Sequence, residues 1–139
     1  MVRYVRDVMT RSVAALRPDA SLVEAAQLMR AQAIGDVLVA RDGVLLGVLT
    51  DRDIALRVVA EGLDPLIVSC HSACTPDPVC VGPDEELATA AALMRTHAVR
   101  RLPVVDAQGV VGVISVGDLV RALSPDSPLA DITGTSPDT

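Results

Sequence analysis

The sequence predicts a mixed α/β fold (α+β), built from two tandem β-α-β-β-α repeats packed sheet to sheet with pseudo-twofold symmetry. Three observations carry this prediction. The chain repeats itself at an offset of 65 residues, with 14 of the 50 positions from 8 to 57 identical to their counterparts and no gap in the register. Each copy passes from a 3.6-residue apolar period to two short β-branched runs. The apolar half of the composition is almost wholly aliphatic, with one Tyr and no Phe or Trp, which suits a sheet covered by helices.

Each copy opens on a short strand, near 13–16 and again near 78–81. Leu22, Ala25, Ala26, Met29 and Ala33 then mark one buried helix face, and Leu87, Ala90, Ala91, Met94 and Ala98 repeat it. Asp19 or Ser21 can cap the first of these helices, with Glu24 completing a capping box on Ser21. Strands follow near 37–40 and 44–50, turned by "RDG", and near 102–105 and 110–115, turned by "DAQG". A second helix starts at about Asp51 and at about Val116. The first repeat is expected over 3–62 and the second over 75–123. A linker and entry segment at 63–74 joins them, inside "EGLDPLIVSCHSAC". The Pro/Ser/Asp/Thr-rich tail over 124–139 is expected to be disordered.

At 139 residues the chain has the length of one domain with a sizeable core. A net charge of −6 and the lack of aromatic platforms argue against nucleic acid, which needs basic surface and stacking rings. The sequence offers neither a membrane-length apolar run nor a leader, so the expectation is a cytoplasmic protein without membrane contact.

The chemistry concentrates at the end of the most strand-like segment, "GVLLGVLTDRDIALR". Thr50-Asp51-Arg52-Asp53 lies over Ser115-Val116-Gly117-Asp118, so only the hydroxyl and the second carboxylate recur. Asp51 matches Val116, which argues against a catalytic carboxylate pair. A hydroxyl followed three residues later by Asp reads as a capping box. It also stands where α/β sheets bind small ligands, beyond strand ends and at helix starts. There the carboxylate can accept from both hydroxyls of a ribose, and the Thr or Ser hydroxyl can meet phosphate. Cap and binding edge both remain open on the residues alone.

Cys70, Cys74 and Cys80 are an odd set in one segment, which fits a reducing compartment rather than a disulfide framework. With His71 they make four candidate zinc ligands, but their spacing matches no standard zinc pattern. No Gly-rich phosphate loop or nucleophile context is present, and neither His71 nor His97 has a repeated partner, so no catalytic residue is assigned.

The stretches "VRDVMT", "PDASLVEAAQLM", "GVLTDRDIALRVVAEGLDP", "CTPDPVCVGPDEEL" and "VRRLPVVDAQGVVGVISVGDL" together resemble a CBS-domain pair, or Bateman module, of the small stand-alone bacterial type. The resemblance spans residues 3–123. It implies a non-enzymatic regulatory module with two clefts between the repeats. These would take adenosine-containing ligands such as AMP, ADP, ATP or S-adenosylmethionine, with no cofactor required. Carried over to this chain, Thr50 and Asp53 would hold a ribose whose phosphates approach Arg100 and Arg101, with Thr75 and Val99 beside the base. The symmetry-related site would use Ser115 and Asp118 with Thr10, Val13, Ile34 and Gly35. Arg100 and Arg101 correspond to Gly35 and Asp36, and Asp36 departs from the small or apolar residue usual there, which disfavours phosphate at the second site. The resemblance also implies a homodimer that associates through its helices, and exposed aliphatic faces such as "DLVRAL" would suit that. Two alternatives accompany this reading: a structural or partner-binding stress protein with empty clefts and an unidentified protein partner, and a zinc-binding protein using the cysteine segment.

Overall fold

The computed structural model describes residues 3–124, so the tail expected over 124–139 lies, beyond its first residue, outside the described residues. The architecture is mixed α/β. The described chain divides into two compact units, one over Ala14–Pro78 and the other gathering residues 3–13 with 79–124. They are called here the first and second units.

The chain begins in the second unit with a helical turn, α1 (Val5–Val8), whose Val5 is fully buried. The Arg6 guanidinium stacks 4.6 Å from the centroid of Tyr4, the sole Tyr, Phe or Trp in the sequence.

In the first unit, β1 (Ala15–Leu16) leads to α2 (Leu22–Gln32), which buries Leu22, Ala25 and Met29. Of the two caps the sequence allows, Ser21 is the one used: its Oγ accepts from the Glu24 amide at 3.2 Å, and Glu24 accepts from the Ser21 amide at 2.7 Å. Strands β2 (Asp36–Arg41) and β3 (Val44–Thr50) form a hairpin. Its two-residue loop puts Asp42 and Gly43 at positive φ, the geometry that matches the twist of tightly joined strands. Helix α3 (Asp51–Ile54) follows and widens directly into a π-helical turn over Ala55–Val59, closed by the Ala60 amide donating to the Ala55 carbonyl at 2.9 Å. The unit ends with α4 (Cys70–Ala73) and β4 (Thr75–Pro76), giving a four-stranded sheet of order β1-β2-β3-β4.

The second unit repeats the plan with α5 (Leu87–His97), β5 (Arg101–Asp106), β6 (Gly109–Ser115) and α6 (Val116–Leu123). Where a strand was expected near 78–81, one residue, Val81, bridges in parallel to Val104. Leu119 of "DLVRAL" lies in this unit's core and Leu123 is exposed; the long run of exposed aliphatic residues is instead Leu56, Val59, Leu63, Leu66 and Ile67 in the first unit.

The spatial units are cut differently from the chain segments. At the 65-residue offset α1 corresponds to α4, and Thr10 to Thr75. Yet α1 and Thr10 fold with the second repeat, where Thr10 pairs with Val113, while α4 and β4 fold with the first, where Thr75 pairs with Val48. Each repeat thus lends its leading segment to the sheet of the other. The fit depends on two glycines: a Cβ at Gly47 would stand 2.7 Å from the Thr75 carbonyl oxygen, and one at Gly112 would stand 2.7 Å from that of Thr10.

Candidate functional site

The duplicated hydroxyl–carboxylate turn sits at the end of the long strand of each hairpin. In the first unit the Thr50 Oγ1 accepts from the Asp53 amide at 3.0 Å and the Asp53 Oδ2 accepts from the Thr50 amide at 2.9 Å. In the second unit Ser115 and Asp118 repeat both bonds at 3.1 and 2.9 Å. The capping role allowed by the sequence is therefore made at both places.

Each turn is anchored to the neighbouring strand. The Asp51 amide donates to the Gly35 carbonyl and the Val116 amide to the Arg100 carbonyl, both at 2.8 Å. Helices α2 and α5 end on Ala33 and Ala98 in the left-handed conformation, and the next amides, of Ile34 and Val99, donate back to Met29 and Met94 at 3.0 Å. Ile34-Gly35 and Val99-Arg100 are thereby delivered to the strand end that carries the turn. The register completes the edge by setting Asp36 opposite Thr50 and Arg101 opposite Ser115.

Strand pairing thus gathers Ile34, Gly35, Thr50 and Asp53 in the first unit, with Thr75 paired two residues back along β3. It gathers Val99, Arg100, Arg101, Ser115 and Asp118 in the second, with Thr10 paired two residues back along β6. Val13, half-buried, lies where the chain leaves the second unit for the first. The two edges differ in charge. One carries Asp36, Asp51 and Asp53; the other carries Arg100 and Arg101 beside Asp118.

Two arginines that sequence reasoning passed over complete the picture. Arg121 donates from Nη2 to the Asp118 Oδ1 at 2.6 Å. Arg57 approaches the Asp53 Oδ1 only to 3.6 Å and donates instead, from Nη1, to the carbonyls of Ala73 at 3.2 Å and Cys74 at 3.4 Å. The helical spacings i,i+3 and i,i+4 signal such pairs, but these two arginines are not counterparts in the repeat, so the duplication did not draw attention to them. Beside the first edge, an open hollow of about 320 Å³ is lined by Ala26, Met29, Ala33, Ile34 and Ile54 together with Arg30 and Asp51.

Cys70 and Cys74 are buried in the first unit's core, and among the described residues no three His, Cys, Asp or Glu side chains gather as a metal would need. Burial, with smaller contributions from Glu24 and Cys74, pushes the Cys70 thiol up from 9.0 to about 11. The folded thiol keeps its proton where the unfolded one has lost it. Its contribution to stability is complete below pH 9 and disappears as the pH climbs through 11. The melting temperature of the protein is expected to fall between pH 9 and 11, and less steeply in Cys70→Ala. Equal slopes in the two proteins would contradict this account.

Among the described residues no helix is long and apolar enough to cross a membrane. The CBS domain model matches the chain twice, over residues 5–60 and 70–125. The CBS domain-containing protein YhcV of Bacillus subtilis is 40% identical over 133 residues, covering 95% of this chain and 94% of that protein. The crystal structure of hypoxic response protein I, described with two coordinated zinc ions, superposes with a TM-score of 0.79 at 32% identity, covering 85% of this chain and 97% of that one. At 22% identity, the CBS domain pair of protein MJ0100, solved with 5′-methylthioadenosine and S-adenosyl-L-methionine, shares the fold with a TM-score of 0.78 over 91% of this chain and all of that one.

Proposed function

The chain belongs to the CBS-domain family, carrying the domain twice, and from that premise we propose that it is a regulatory module that binds an adenosine-containing ligand (AMP, ADP, ATP or S-adenosylmethionine) without chemical turnover. The observation that carries this reading is the hydroxyl–carboxylate turn made twice at equivalent strand ends. A cap uses only part of its hydrogen-bonding capacity. A carboxylate has about four acceptor sites, and the cap occupies one of them. The Asp53 Oδ1, with no hydrogen-bond donor among the described residues closer than the Arg57 Nε at 3.6 Å, suits the paired hydroxyls of a ribose. Arg100 and Arg101 bring the planar donors that match phosphate. The binding residues proposed are those named from the sequence, of which Ile34, Gly35, Thr50, Asp53 and Thr75 lie in the first unit. Thr10, Val13, Val99, Arg100, Arg101, Ser115 and Asp118 lie in the second.

Calorimetric titration with the four ligands tests the reading. Binding without hydrolysis is expected. Absence of heat from all four at millimolar concentration would replace it with a module whose edges serve a protein partner. Asp53→Ala separates the two roles of the turn. As a cap alone, Asp53 contributes about 0.5–2 kcal/mol to stability and nothing to affinity. As a ribose partner too, its loss should also weaken AMP by about 1.5–3 kcal/mol, roughly ten- to a hundredfold. A lowered melting temperature with unchanged AMP affinity would reduce the turn to a cap.

Within the same reading the protein is cytoplasmic and homodimeric. The exposed aliphatic side chains of Leu56, Val59, Leu63, Leu66 and Ile67 support self-association, because exposed apolar surface favours a partner. Light scattering should report about twice the chain mass of 14.5 kDa. The mass of a single chain at micromolar concentration would refute the dimer.

A further inference from the structure

The two ribose-type carboxylates are not in the same state. The Asp118 Oδ2 takes the Ser115 amide and its Oδ1 takes the Arg121 guanidinium at 2.6 Å, so both oxygens are engaged. Its side chain is only 9% exposed, and a carboxylate so buried needs a partner of opposite charge. Asp53, at 14% exposure, is ion-paired more loosely, with the Arg57 Nε 3.6 Å from its Oδ1, beyond hydrogen-bond reach. Its nearest arginine is drawn off by two backbone carbonyls, those of Ala73 and Cys74. The local backbone is consistent with the difference. In the second unit the helix after the turn stays α-helical, and residues three apart meet on one face. In the first unit the helix opens into a π turn at Ala55–Val59, which changes the angular position of Arg57 relative to Asp53.

We propose that Arg121 is a built-in occupant of the Asp118 carboxylate, so that the resting chain takes one ribonucleoside, at Asp53, and the Asp118 edge takes another only when Arg121 is released. This inference rests on the reading of the repeated Asp as a ribose partner. The chemistry is a competition between donors. The guanidinium N–H and the vicinal hydroxyls of a ribose seek the same Oδ1. The guanidinium is charged and already within the same helix, so it holds the oxygen against a neutral ligand. Arg121 is thereby a specificity-determining residue, setting how many nucleosides a chain holds.

Titration calorimetry with adenosine, which has no phosphate to pair with an arginine, provides the test, with AMP as a second probe. Wild type should bind one adenosine per chain and Asp53→Ala none, its affinity falling at least tenfold. Arg121→Met, which keeps the aliphatic stem, should bind two. The double variant Asp53→Ala with Arg121→Met should regain one, a gain that misfolding cannot produce. Arg121→Gln serves the same purpose if thermal melts show that the Met variant does not fold. Two adenosines on wild type, or no gain in the double variant, would overturn the role of Arg121 and leave the nucleoside reading standing. So would an AMP that persists in Asp53→Ala and disappears with Arg121→Met, because Arg121 would then be a phosphate partner. If no form of the protein binds adenosine or AMP at millimolar concentration, the nucleoside reading falls and the inference falls with it.

Discussion

Leu49→Ala is expected to lower the free energy of unfolding by about 2–5 kcal/mol, a large share of the 5–15 kcal/mol typical of a small domain. Leu49 has no exposed surface and sits in one cluster with Leu22, Ala25, Met29, Val39 and Val58. Removing its three carbons takes away burial and leaves a void that a sheet residue, pinned by pairing to Val37, cannot close by shifting. The residue also immediately precedes Thr50. Slack at this point loosens the strand end that aims the turn, so adenosine-ligand affinity should fall along with stability. Leu49→Met conserves volume and should cost less than about 1.5 kcal/mol. Urea unfolding of the three proteins measures the series, and an alanine variant within 1 kcal/mol of wild type would show that the core does not rest on this residue.

Gly112→Val should be nearly as damaging, by a different route, costing about 3 kcal/mol. Even a Cβ there would stand 2.7 Å from the Thr10 carbonyl oxygen and 2.9 Å from the Met9 Sδ. The methionine can swing aside. The backbone carbonyl cannot, because the Thr10 amide donates to the Val113 carbonyl at 2.8 Å and the Thr10 carbonyl accepts from the Val113 amide at 2.9 Å. The valine must therefore push the N-terminal segment off β6. Limited proteolysis should then cut within residues 3–13, which wild type protects, before it cuts elsewhere. A variant that resists the protease and melts like wild type would mean that the segment contributes little to holding the second unit together.

Much of the fold was legible because the sequence states it twice. The apolar spacing from Leu22 to Ala33 and from Leu87 to Ala98 located α2 and α5, and the β-branched runs located both hairpins to within a residue or two. The repeated Thr/Ser-x-x-Asp marked the turn and its cap. Strand pairing was less legible. A one-residue bridge such as Val81–Val104 has too little periodicity to register, and a two-residue strand such as Thr75–Pro76 looks like a linker. Nothing local announces that Thr10 pairs with Val113 and Thr75 with Val48, because the equivalence of the two copies is satisfied whichever sheet each leading segment joins. "DLVRAL" misled for a related reason. An aliphatic helix face reads the same whether it packs on its own sheet, as Leu119 does, or faces outward like Leu123. Arg57 and Arg121 escaped notice because they differ between the copies, and a search for repetition discards differences.

The exchange of leading segments sets an order of events as the chain is made. The first unit is a continuous stretch, and it can close once Thr75 has followed Val48 into solution. The segment holding Thr10 emerges before either sheet exists, and its partner Val113 comes about a hundred residues later. At ribosomal rates of about 5–20 residues per second, that segment waits roughly 5–20 s with its amide and carbonyl groups bonded only to water. During this interval it is open to the β6 edge of a neighbour on the same message whose own Thr10 has not yet paired with Val113, and pairing there would join two newborn chains through traded N-terminal segments.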